Sequence, residues 1–186
     1  MKIVIVIIFS LLPVLIYSQE DIGFEPSRDL SPKRSVWLNG GLGIYEAKGD
    51  WGFSLNLTLK IQKNNPFKFR YVLNEEFTLF EKPELFQDFG FLLGKSSASQ
   101  YAKISAYGGI GVMACKERGQ LIGLPKDGLF SSAEYEWENK LAIGIPLEIE
   151  FRLLPKHFFG AGISAYANLN FKKSLVGVLF KLEFGK

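Results

Sequence analysis

Few residues of this chain are equipped for covalent or acid–base chemistry, and their spacing does not assemble them. There is one histidine and one cysteine in 186 residues, which excludes zinc sites built from several such ligands and any internal disulfide framework. His157 follows Pro155 in what reads as a turn, with no nucleophile at an identifiable spacing, so it is read as a turn residue and not a general base. Cys115 has only Lys116 beside it as an activating cation, and reads as a lone thiol at a strand end. Glu148 and Glu150 share one strand face, as the paired carboxylates of a hydrolase would, yet Arg152 continues the row and points to ion pairing instead. Gly40-Gly41-Leu42-Gly43-Ile44 and Gly108-Gly109-Ile110-Gly111-Val112 resemble one another, but no helix follows either, so neither reads as a phosphate-binding loop. No catalytic residue, metal ligand or cofactor site is assigned.

The elements that carry these residues are strands. From Phe53 to Gln62 the odd positions are apolar and the even ones polar; the same alternation runs from Lys140 to Leu153 through seven apolar odd positions. Period two is the mark of a strand with two different faces. Six further segments follow it less strictly, at about 35–45, 67–77, 85–95, 101–114, 158–170 and 174–184, which gives eight strands. The joins at 63–66, 96–100 and 155–157 are tight, whereas those at 78–84 and 115–134 are longer, an asymmetry of up-and-down barrels that cross a membrane. Pro146 lacks a ladder donor, and a bulge is expected there.

Composition fits this reading. Lys and Arg number 22 against 19 Asp and Glu, a net charge of +3 that is too small for a nucleic-acid module, while 47% hydrophobic residues exclude disorder. Met1 and Lys2 precede an almost wholly apolar run, Ile3 to Ile16, with Tyr17-Ser18 as a cleavage point; residues 1–18 read as a secretory signal peptide and 19–34 as a tail. The unusual entries are 17 Phe and 19 Gly. In the strands, the faces opposite the apolar sets hold Gly41, Gly43, Gly90, Gly94, Gly109, Gly111, Gly160, Gly162, Ser164, Asn168 and Gly177, small residues suited to a narrow interior. Aromatics fall toward the strand ends: Phe67, Phe69, Tyr101, Phe151, Phe158, Phe159, Phe180 and Phe184 at one, Tyr45, Trp51, Phe53, Phe77, Tyr135, Trp137 and Phe171 at the other. Two interfacial girdles are therefore expected around a lipid-facing barrel. The alternative is a soluble periplasmic barrel with inverted faces that binds a small apolar ligand.

The signal peptide, the eight alternating strands and a last strand with Val176, Val178, Phe180, Leu182 and Phe184 on one face resemble the small OmpA/OmpX-type outer-membrane barrels of Gram-negative bacteria. The Phe-rich barrel and the Gln after the signal are also similar to uncharacterised outer-membrane barrels of Bacteroidota. The resemblance implies an all-β, eight-stranded antiparallel up-and-down transmembrane barrel over residues 35–186, with outer-membrane lipids and the barrel-assembly machinery as partners. Final strands in that family commonly end on an aromatic that the machinery reads; here Gly185 and Lys186 follow Phe184.

With both termini on the periplasmic side, Lys60, Lys68, Arg70, Lys103, Glu148, Glu150, Arg152, Lys181 and Glu183 project inward near the periplasmic end. Eight strands leave room for side chains only, so this cluster is expected to plug the lumen as an ion-pair network, with Lys103 beside Glu148 or Glu150. An anion-selective pore is the alternative. Glu46, Asp50, Glu75, Glu76, Glu81, Glu84, Asp88, Glu134, Glu136 and Glu138 are expected to form an acidic outer rim. The 115–134 join carries Leu121, Ile122, Leu124, Leu129 and Phe130, a candidate contact surface for an envelope partner.

Overall fold

The computed structural model describes residues 35–47, 49–62, 66–78, 82–98, 102–123, 134–153 and 158–185. The segments expected as signal peptide and tail, 1–34, and His157, Tyr101, Glu81, Leu124, Leu129 and Phe130 lie outside the described residues. Period-two segments pair with their chain neighbours throughout. Eight strands result: β1 (Ser35–Ala47), β2 (Asp50–Gln62), β3 (Phe67–Glu76), β4 (Leu85–Ala98), β5 (Ala102–Gly123), β6 (Glu134–Leu153), β7 (Phe159–Leu169) and β8 (Leu175–Gly185). Each is antiparallel to the next, and β8 returns to β1, with Trp37 opposite Gly185, so the sheet closes. Closure leaves no sheet edge along the wall, which is what a lipid-facing sheet requires.

The two faces are chemically opposed. Outward residues are apolar and exposed on every strand, among them Leu42, Leu57, Phe69, Phe89, Ile110, Ile143, Ile163 and Phe180, up to 79% for Ile143. Inward positions hold almost all the buried charge. A soluble barrel has the reverse arrangement. An uninterrupted apolar belt on this scale far exceeds the patch of roughly 300–600 Å² that a soluble monomer carries.

Several expectations are corrected. Tyr45 is not a girdle residue: it is 1% exposed and points into the lumen. Phe180 faces outward, but at mid-height, opposite Leu42 and Ile163. Outward rings therefore spread down the wall; Tyr71 packs on Phe89 at 4.7 Å, and Phe69 on Phe91 at 5.2 Å. Pro146 makes no bulge. The β5–β6 ladder skips the two pairs around it and resumes in the same register, Gly108 with Leu147 and Gly111 with Gly144. Its ring points inward, where Gly90 and Gly111 leave space for it, so the missing donor is absorbed without an inserted residue. The register shifts lie higher, between Arg118 and Gly123.

The largest departure is in the 115–134 join. Cys115–Gly123 belongs to β5 and Glu134 onward to β6, giving strands of 22 and 20 residues. β4 accompanies β5 only to Lys116, and β7 accompanies β6 only down from Ile145. Since about 9 to 11 residues cross the hydrocarbon layer, this hairpin projects past the wall as a two-stranded ribbon. Leu121 and Ile122 sit on its β5 side, exposed. The sequence hid this because the ribbon is solvated on both faces and so loses the apolar–polar alternation.

Candidate functional site: the charged lumen

The inward face builds a column of side chains in three layers. At the end opposite the termini, Tyr45, Val72, Phe86, Met113, Cys115, Leu175 and Leu179 pack as an apolar cluster, with Tyr45 edge-on to Phe86 at 6.0 Å. Lys173 lies over it, Nζ 4.5 Å from the Phe86 ring centre and 2.7 Å from Glu84 Oε2. Period-two reasoning missed this layer, because in β4 and β8 both faces are apolar there. Leu175 and Leu179, in alternation with Val176, Val178 and Phe180, were the available sign.

The middle layer is polar and hydrogen-bonded at its centre, although Asn74 Nδ2 and Arg70 Nε have no partner. Tyr166 donates to Asn74 Oδ1 at 2.6 Å, and Ser54 Oγ lies 2.7 Å from both. Asn168 donates to Asp88 Oδ1, and Arg70 Nη2 to Asp88 Oδ2 at 2.5 Å. Asp88 is thus a lumen residue, 0% exposed, and not part of the rim.

The third layer, toward the termini, is ionic. All nine residues Lys60, Lys68, Arg70, Lys103, Glu148, Glu150, Arg152, Lys181 and Glu183 are at most 2% exposed. β6 supplies both central carboxylates. Glu148 takes Lys68 Nζ at 2.8 Å, Arg70 Nη1 at 3.3 Å and a close contact from Lys181. Glu150 takes Lys60 Nζ at 2.5 Å and Lys68 at 3.4 Å. Glu183 holds Arg152 closely and Lys60 at 3.4 Å. Lys68 also stands 3.8 Å above the Tyr107 ring, a favourable position for a cation. The expected pairing of Lys103 is corrected. The register sets it opposite Arg152, and both β6 carboxylates are drawn across the lumen to cations of β2, β3 and β8.

Glycine makes room for the large side chains. Tyr45, Tyr107 and Tyr166 each lie directly across the ladder from a glycine, Gly52, Gly94 and Gly177. A Cβ on those glycines would sit 2.3 to 2.5 Å from the tyrosine ring, closer than any packing allows.

The outer rim is mixed in sign, not acidic. Arg118 pairs with Glu76, Lys173 with Glu84 and Asp50, and Lys140 with Glu117 and Glu138. Arg118 and Lys140 were missed as rim bases because their segment was read as a loop and a strand base. Among the described residues no cluster of three His, Cys, Asp or Glu has metal-binding geometry.

A closed eight-stranded barrel with an apolar exterior and a charged, filled interior has the architecture of outer-membrane barrels. The solved structures it resembles are of that kind. The chain superposes on Neisserial surface protein A with a TM-score of 0.56 at 10% identity, covering 81% of this chain and 96% of that one. It superposes on Ail of Yersinia pestis at 0.54 and 11%, covering 83% and 99%, and on the N-terminal barrel domain of Pseudomonas aeruginosa OprF at 0.51 and 8%, covering 84% and 100%. No family model and no curated protein matches the chain. The shared property is therefore the fold, that of the small eight-stranded outer-membrane barrel.

Proposed function

We propose that this chain is a non-enzymatic outer-membrane barrel with a plugged lumen, which acts as a structural or interaction protein of the cell envelope. The observation that carries the reading is the inversion of faces: exposed apolar side chains on all eight strands around an interior that holds buried charges, most of them paired. Ions crossing the lumen would have to break contacts of Glu148, Glu150 and Glu183 together and then displace the Tyr45–Phe86 cluster. Interaction then falls to the parts outside the wall. The β5–β6 ribbon with Leu121 and Ile122, continued through Leu124, Leu129 and Phe130, is the candidate partner surface, and outer-membrane lipids and the barrel-assembly machinery are the general partners. Two measurements test this. Membranes washed with carbonate should retain the protein, and it should migrate faster on gels before boiling than after; release without detergent would favour the soluble ligand-binding barrel. In planar bilayers the refolded chain should give no stable large conductance, and a steady one would replace the plug with a pore.

A further inference from the structure

Charge in the lower lumen does not balance. Among the described residues the buried cations are Lys60, Lys68, Arg70, Lys103, Arg152 and Lys181, and the buried carboxylates are Asp88, Glu148, Glu150 and Glu183, six against four. Each carboxylate already holds at least one of the other five cations. Lys103 holds none of the described carboxylates. Its ammonium is buried and has no hydrogen-bond partner among the described residues, its cross-strand neighbour on β6 is the cation Arg152, and that on β4 is Ala98. Arg152 gives Nη1 to Glu183 and its guanidinium face to Trp37, centre to centroid 4.6 Å, which leaves Nε without a partner. Ser105 and Tyr107 continue the inward row of β5, and beyond each other their hydroxyls have no partner among the described residues. The Lys103 ammonium and Arg152 Nε–H can only donate, and the two hydroxyls can donate beside them, so the missing component is an acceptor. Water would satisfy hydrogen bonds but not the excess positive charge, which is costly to bury alone.

We infer that Lys103, Arg152, Ser105 and Tyr107 bind a small inorganic monoanion, chloride in kind, within the sealed lumen near the termini. The inference rests on the plugged-lumen reading. A monatomic anion fits because an eight-stranded interior is only wide enough for side chains, which disfavours phosphate or sulfate. It would add the acceptor that the row lacks and lower the net charge of the layer.

The test uses the full chain refolded in detergent. Crystals grown in bromide should give an anomalous peak in contact with Lys103 Nζ. At matched ionic strength the thermal midpoint should be about 2–4 °C higher in chloride than in gluconate, as for any ligand of the native state alone. Lys103→Met should abolish that difference and Lys103→Arg should keep it. Absence of the peak overturns the inference, and needs no variant to fold. A peak with no chloride dependence of the midpoint means an adventitious ion only, and overturns it equally. Bilayer recordings separate the two readings: a silent lumen without bromide sinks the anion site alone, whereas a steady conductance sinks the plug on which it rests.

Discussion

Glu148 stands between Lys68, Lys181 and Arg70, and its charge holds three buried cations in one layer. Removing one member of a buried ion-pair network leaves the others uncompensated, at a cost of about 3–5 kcal/mol. Glu148→Gln keeps the shape and removes the charge. Its free energy of unfolding from lipid vesicles in urea, followed by tryptophan fluorescence, should fall by that amount, and an unchanged value would show that the network adds nothing to stability. At the rim, burial works to raise the Glu84 carboxyl, but the Lys173 ammonium and the Arg118 N–H outweigh it and hold its pKa below the ordinary carboxylate value. A depressed pKa contributes stability that is complete above the unfolded pKa and is lost as pH falls through the folded one. Amide exchange at Leu85 and Phe86 should therefore speed up selectively as acid is added below about pH 4.5, and Lys173→Met should move the onset of that loss to higher pH. That each of Glu148 and its eight companions lies on the polar face of its strand was legible from alternation. Which cation meets which carboxylate was not, because the partners come from strands up to 123 residues apart in sequence, as Lys60 and Glu183 are.

At the scale of the elements, the barrel is fitted together by pairs of one large and one small residue. Gly177 lies opposite Tyr166, and a methyl group there would meet the ring at 2.5 Å and the Ile44 carbonyl at 2.7 Å. Gly177→Ala should destabilise the barrel by about 1–3 kcal/mol through overpacking, with a loss of near-ultraviolet tyrosine dichroism; a neutral result would mean that Tyr166 has another place to go. Glycine abundance was visible in the sequence, but its pairing with three tyrosines depended on register. The tight turn between β1 and β2 has a local cause: Gly49 adopts φ +98°, which favours glycine, and its N–H donates to Glu46 Oε1 at 2.7 Å. The β5–β6 ribbon is separable by contrast, since among the described residues β5 beyond Lys116 has only β6 as a strand partner. Replacing residues 119–136 by Asn-Gly joins Arg118 to Trp137, already a cross-strand pair, through a favoured two-residue turn. That variant should still assemble with heat-dependent mobility and should lose co-purifying envelope partners; failure to assemble would make the ribbon part of the folding unit.

For the molecule as a whole, the decisive question is which solvent the outer face meets. Leu57 lies midway along β2, half exposed, and faces outward. Leu57→Arg should cost about 2–4 kcal/mol in folding into bilayers, the penalty for a cation at mid-depth. The same change on a soluble barrel would be close to neutral, so a negligible effect would argue against lipid contact. By itself the sequence determined that there are eight strands, where most begin, and which residues share a face, because a pleated strand sends successive side chains to opposite sides and that rule needs no partner. Tertiary structure decided which face is inside, that an apolar cluster packs at one end of the lumen, that β5 and β6 outrun their neighbours, and that Lys103 lies opposite Arg152 instead of a carboxylate. These depend on closure and register, which bring distant strands to one height, and period two is the same whichever way a barrel turns.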